Sequence, residues 1–171
     1  MSKSSILFVD DDPNILKALQ RTMHKEPYDC YFAEGPKEAL DVLHREDISL
    51  LVSDHYMPDM DGLTFLKKIR DSDPQVVRVL MTGAPELDLA IKAINEGEVY
   101  RFLTKPWNDV DLRITIRQLM DFIDLRRENQ SLMDTVRRQR DFIDNLSKDH
   151  PDIFDVKRDA SGAIVIDLDE V

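Results

Sequence analysis

The sequence predicts an α/β fold, a five-stranded doubly wound parallel sheet, on three observations. Short apolar runs alternate with segments of helical period five times through about residue 122. The runs are continuously apolar rather than alternating, which marks strands covered on both faces. Polar residues gather just past the ends of these runs, where open parallel sheets place their ligands.

The elements follow in order. Residues 6–9 form an apolar run, and Pro13 then stands at a first helical position, with Ile15, Leu16 and Leu19 on one face. Residues 28–33 make a second strand, closed by Gly35-Pro36, and Ala39, Leu40, Val42 and Leu43 give the next helix its apolar face. A third strand covers 48–52 and is followed by a helix facing inward through Leu63, Phe65, Leu66 and Ile69. A fourth covers 76–81, and its helix, with Leu87, Ala90, Ile91 and Ile94, stops at Gly97. The fifth strand is expected at 99–103, before a helix that Asn108 or Asp109 could cap.

The 171 residues accommodate one core domain of about 120 residues and an appendage. With 42% hydrophobic and 33% charged residues, the composition is that of a soluble globular protein. A net charge of −11 disfavours direct contact with nucleic acid or an anionic membrane and favours cations. Cys30, the single cysteine, lies in an apolar-aromatic run and reads as a small buried hydrophobe rather than a reactive thiol. No apolar run approaches the roughly 18 residues of a membrane span, and residues 1–5 lead into no signal-peptide core, so the cytoplasm is expected.

The rim carries the chemistry. After the first strand come Asp10, Asp11 and Asp12; after the third, Asp54; after the fourth, Thr82 and Gly83; after the fifth, Thr104, Lys105 and Pro106. Three adjacent aspartates require a compensating charge if buried. A hard cation such as Mg²⁺ takes one or two carboxylates plus a phosphate, which one of the first three acids and Asp54 can supply. With that charge neutralised, a carboxylate can attack a phosphoryl group, and a lysine and a hydroxyl can contact its oxygens. Each piece alone has a bland reading, as a helix-start cluster, a surface lysine or a turn threonine. Their joint placement after different strands is what points to a site.

Four blocks carry a resemblance: Ile6-Leu7-Phe8-Val9-Asp10-Asp11-Asp12-Pro13, Val52-Ser53-Asp54-His55-Tyr56-Met57-Pro58-Asp59-Met60-Asp61-Gly62, Val79-Leu80-Met81-Thr82-Gly83 and Phe102-Leu103-Thr104-Lys105-Pro106-Trp107. Residues 4 to about 122 resemble the response-regulator receiver domains of two-component signalling, which are chemotaxis-regulator-like and flavodoxin-like in fold. The resemblance implies that Asp54 is the phosphoacceptor, that Asp10, Asp11, Asp54 and the backbone carbonyl of Tyr56 hold Mg²⁺ (or Mn²⁺), and that Thr82 and Lys105 bind the phosphoryl oxygens. Asp12 is left over as a helix-start residue. The same resemblance gives Lys105-Pro106 as a cis peptide, Gly62 a tight turn, Thr82 and Phe102 a switching role, and Tyr56 and Ala84 an influence on phosphate lifetime. A histidine kinase or phosphotransfer protein would donate the phosphate, and the chain would catalyse only its own phosphorylation and dephosphorylation. Residues 93–107 resemble a subgroup often found ahead of cyclic-di-GMP phosphodiesterase or transcription-activator domains.

The appendage has two parts. From Asp109 to about Lys148 there is neither proline nor glycine, and heptads with Phe122 at a place Phe122, Leu125, Asn129, Leu132, Val136, Gln139, Ile143 and Leu146 at core positions. Six of these eight are apolar, and Asn129 at an a position favours a parallel two-stranded register. The domains expected are therefore a receiver at 1–122, a coiled-coil extension of the fifth helix at 123–148, and an acidic tail at 149–171. The tail holds 7 acids and 2 bases, and Asp159-Ala160-Ser161-Gly162 between two apolar stretches suggests a β-hairpin.

The leading expectation is a switch acting through a parallel homodimer on an unknown downstream protein. One alternative is the regulatory piece of a longer effector. A second is a metal-dependent phosphohydrolase, disfavoured because Asp54-His55-Tyr56 lacks the second acid of an Asp-x-Asp pair. A third is a scaffold with a vestigial site.

Overall fold

In a computed structural model, residues 4–83, 87–96 and 99–149 are described. Five strands and five helices alternate: β1 (Ser5–Val9), α1 (Pro13–Met23), β2 (Asp29–Ala33), α2 (Pro36–Arg45), β3 (Leu50–Asp54), α3 (Gly62–Ser72), β4 (Val77–Gly83), α4 (Leu87–Asn95), β5 (Arg101–Lys105) and α5 (Asp109–Asp149). The strands lie in the order β2-β1-β3-β4-β5, and every pairing is parallel.

Because strand side chains alternate, each strand feeds two cores. Leu7, Val9, Leu51 and Leu80 face Ala39 and Val42 of α2, Phe65, Leu66 and Ile69 of α3, and Ala93 of α4. Ile6, Phe8, Leu50, Val52, Val79 and Met81 face Leu16, Leu19 and Met23 of α1 and Leu112, Ile116 and Leu119 of α5. The sheet is thus covered on both faces, as the unbroken apolar strands require.

Three strands are displaced from the ranges expected of the sequence. β3 begins and ends two residues late, and β4 and β5 also end two residues further on. Asp54, Thr82, Gly83, Thr104 and Lys105 are therefore the last residues of their strands rather than the residues after them. Polarity ends an apolar run, but a backbone ladder continues for as long as a neighbour offers partners. Asp54 stays in register with Met81, and Lys105 with Gly83. Cys30 lies in β2 as expected, but it is half-buried rather than buried.

The helix starts follow capping chemistry. Asp12 caps α1 by accepting from the Asn14 N–H, Asp61 caps α3 by accepting from the Thr64 N–H, and Asn108 Oδ1 accepts from the N–H groups of Val110 and Asp111. Of the two residues that could cap α5, Asn108 does so. Gly97, expected to end α4, lies outside the described residues, as does the tail from 150 to 171 with its expected hairpin.

The chain forms two compact units, Met1–Asp124 and Leu125–Val171. In the second, Leu125, Leu132, Met133, Val136, Phe142 and Ile143 are each more than half exposed.

Candidate functional site

Asp10 begins the rim. It follows β1 and donates its N–H to the Ala33 carbonyl (3.1 Å), so the sheet fixes its backbone. Its Oδ1 accepts from the Asp12 N–H (2.9 Å), and its Oδ2 from Lys105 Nζ (2.6 Å). The same Nζ is 2.6 Å from Asp54 Oδ1. One ammonium thus bridges two buried carboxylates that come from β1 and β3. Asp11 completes the acidic group: oxygens of Asp10, Asp11 and Asp54 lie within 4.8 Å of one another, Asp11 being the exposed member.

Burial raises the Asp10 carboxyl above the ordinary aspartate value despite the hydrogen bonds from Lys105 and the Asp12 N–H. Burial alone would lower the Lys105 ammonium, but its hydrogen bonds to Asp10 and Asp54 and their charges prevail and raise it. Three carboxylates against one ammonium leave two formal negative charges. An all-oxygen donor set with that surplus fits a hard divalent cation such as Mg²⁺.

The β3–α3 turn is held against the end of β3. The His55 N–H donates to the Met81 carbonyl (3.0 Å), and the Gly62 N–H donates to the His55 carbonyl (2.7 Å). Gly62 is needed for space. A Cβ there would stand 2.8 Å from the Asp54 carbonyl carbon and 3.0 Å from His55 Cα, and would collide with the Asp54 carbonyl oxygen. No non-glycine residue among those described has a positive φ.

Tyr56 lies in this turn, two residues beyond Asp54, its side chain 66% exposed and its ring 4.7 Å from that of His55. Thr82 is buried in β4 beside Met81, the register partner of Asp54, and its Oγ1 donates to the Gly83 carbonyl at 3.3 Å. Phe102 is half-buried in β5, opposite Leu80 and against the core on the α2–α3–α4 side. Lys105-Pro106 is cis, as the resemblance implied. Ala84 lies outside the described residues. Of the coil positions, Phe122 belongs to the first unit, where its ring stacks on Tyr100 at 4.7 Å. Leu125, Asn129, Leu132, Val136, Gln139 and Ile143 are exposed, and Leu146 is half-buried.

The geometry also gives three groups contacts that the sequence did not anticipate. His55 is buried with its Nδ1 unpartnered. Glu26 is buried and grips Arg117 of α5 through two 2.8 Å hydrogen bonds. Asp109 accepts from Thr22 Oγ1 (2.7 Å) and from Trp107 Nε1 (3.2 Å). The first and second carry no local sequence signal. Asp109 did carry one, as a possible cap, but its carboxylate is spent elsewhere.

Residues 6–117 match the response regulator receiver domain family. The chain belongs to that family. This receiver domain is 33% identical over 132 residues to the DNA-binding transcriptional regulator NtrC of Proteus hauseri, covering 77% of this chain and 28% of the relative. It is 31% identical over 119 residues to the hydrogenase transcriptional regulatory protein HoxA of Cupriavidus necator, covering 70% and 24%. The chain thus spans about a quarter of the length of these curated relatives. Among solved structures, the signal receiver domain of an HD domain-containing protein from Pseudomonas fluorescens is 40% identical with a TM-score of 0.67, covering 71% of this chain and 98% of that one. A receiver domain protein from Clostridium thermocellum shares the fold at 27% identity with a TM-score of 0.66, covering 71% and 98%. Receiver domains are signalling switches rather than turnover enzymes, and they bind Mg²⁺ through acidic residues of the kind gathered here.

Proposed function

We propose that residues 1–122 are a phosphorylation-controlled switch in which Asp54 accepts a phosphoryl group from a histidine kinase or phosphotransfer protein. The observation that carries this reading is the Lys105 ammonium bridging Asp10 and Asp54 at 2.6 Å inside an acidic rim. Asp10, Asp11, Asp54 and the Tyr56 carbonyl would hold Mg²⁺ (or Mn²⁺), which would neutralise charge on the transferred group. An Asp54 carboxylate oxygen attacks phosphorus, an acyl phosphate forms, and the donor's nitrogen leaves with the bonding electrons. Lys105 then moves from Asp54 to a phosphoryl oxygen, and the Thr82 hydroxyl donates to another. Drawing Thr82 inward repacks the space beside Phe102, the route by which charge at Asp54 becomes shape.

Output passes through protein contacts in the cytoplasm, with residues 123–148 pairing as a parallel coiled coil and 149–171 as an acidic tail. The exposed apolar side chains of residues 125–143 support a helical mate. No described helix is long and apolar enough to cross a membrane, and the charge of −11 argues against direct nucleic-acid contact. A second reading, that this is the regulatory piece of a longer effector, is favoured by the quarter-length coverage of transcriptional regulators.

Incubating the full chain with Mg²⁺ and acetyl phosphate tests the switch. One covalent phosphate is expected, and none in Asp54→Ala. An Asp54→Ala protein that still takes up phosphate would refute the assignment. Tyr56 is 66% exposed and stands two residues beyond Asp54, where its bulk would obstruct attacking water. Tyr56→Asn should shorten the acyl-phosphate lifetime, and an unchanged lifetime would end that idea.

A further inference from the structure

We propose that Asp109 is a positioning residue for phosphoryl transfer, acting through Lys105 by tying the β5–α5 turn to α1. This rests on the assignment of Asp54 and Lys105 above.

Lys105 is the last residue of β5, and its partner Gly83 is the last of β4. The sheet therefore fixes where the Lys105 backbone arrives but nothing beyond it. The Nζ must nevertheless stay within reach of both Asp10 and Asp54. A turn of three residues, Pro106, Trp107 and Asn108, separates Lys105 from α5.

Asp109 holds the far end of that turn. Capping of α5 is carried by Asn108, which frees the Asp109 carboxylate. Its Oδ1 accepts from Trp107 Nε1 within the turn and from Thr22 Oγ1 at the end of α1, 87 positions away in sequence. Thr22 is a fixed post: it is 6% exposed, and its hydroxyl also lies 3.0 Å from the Ala18 carbonyl. Trp107 is anchored as well, since its ring packs against the core on the α1–α5 side. One carboxylate oxygen thus joins α1, the first residue of the output helix and a side chain two residues from Lys105. Slackening that tie lets the ammonium drift, and displacement of about 1 Å in a group that must meet a transferring phosphoryl is costly in rate.

The tie joins Thr22, Trp107 and Asp109, none of them a proposed cation ligand, and this gives it a signature. Acetyl phosphate and Mg²⁺ are given to the wild-type chain, Asp109→Ala, Asp109→Asn and Thr22→Val. Asp109→Ala should slow phosphorylation at saturating Mg²⁺ by on the order of tenfold, while Mg²⁺ affinity stays within about twofold. Asp109→Asn, which keeps the accepting oxygen, should recover most of the rate, and Thr22→Val should lose part of it. In a Lys105→Ala background the Asp109→Ala change should add nothing, because the group it positions is gone. A wild-type rate in Asp109→Ala, an equal loss of rate without Lys105, or a parallel fall in Mg²⁺ affinity would overturn the proposal. If the wild type itself takes no phosphate, the assignment of Asp54 fails and this inference falls with it. If the wild type is phosphorylated and Asp109→Ala matches it, only the role of Asp109 is lost.

Discussion

Replacing Lys105 with methionine removes a cation that two buried carboxylates share, and it should destabilise the protein mainly when no metal is present. Asp10 is 2% exposed and Asp54 8%, and each is 2.6 Å from the ammonium. Stranding a charge by deleting its buried partner costs about 3–5 kcal/mol. The Lys105 side chain is 23% exposed, so water already screens part of the pair. Asp10, raised by burial, can also take up a proton in place of its lost partner. Together these reduce the cost to about 2 kcal/mol, or about 8 °C in Tm for a domain of this size. Saturating Mg²⁺ would put positive charge back between the acids and should shrink the deficit below about 1 kcal/mol. Mg²⁺ affinity should rise several-fold, because the ammonium no longer competes for the same oxygens. Thermal unfolding of wild type and Lys105→Met, with chelator and with excess Mg²⁺, reads all three quantities. An equal loss of Tm in both conditions would refute the view that Lys105 and the cation serve the same charges.

Three further outcomes are expected. Gly62→Ala forces a methyl onto the Asp54 backbone, which cannot yield cheaply, so thermal unfolding should show a loss of about 1–3 kcal/mol or more, with weaker Mg²⁺ binding as the turn carrying Tyr56 shifts. The hydrogen bond from Arg117 holds the Glu26 carboxyl below its ordinary 4.5 in spite of burial. The stability this confers is present above that value and lost as pH falls through the lowered one, so the advantage of wild type over Glu26→Gln in unfolding scans should be full at neutral pH and fade below 4.5. Leu132→Asp and Val136→Asp, both at core positions of the heptads, should turn a sedimenting dimer into a monomer while leaving acetyl-phosphate labelling intact.

Much of the fold was legible because its signals are local. Unbroken apolar runs announced a sheet covered on both sides, and the helical faces built from Leu16 and Leu19 or from Phe65, Leu66 and Ile69 are those that enter the cores. Asp12 read as a helix-start residue, and it caps α1. The strand ends were less legible. Asp54, Thr82 and Lys105 are polar and read as lying beyond their strands, yet ladder bonds to neighbouring chain segments keep them inside.

The sequence by itself determined that acids, a hydroxyl and a lysine would meet at the carboxyl ends of parallel strands, because period and punctuation dictate strand order along the chain and the fold rule dictates the rim. Only the tertiary structure decided how they meet. That Lys105 divides itself between Asp10 and Asp54, that Glu26 takes hold of Arg117 across 91 positions, and that Asp109 serves Thr22 rather than a helix end are matters of long-range approach. Such contacts depend on where distant backbones come to rest, and nothing in the residues flanking either partner encodes that distance.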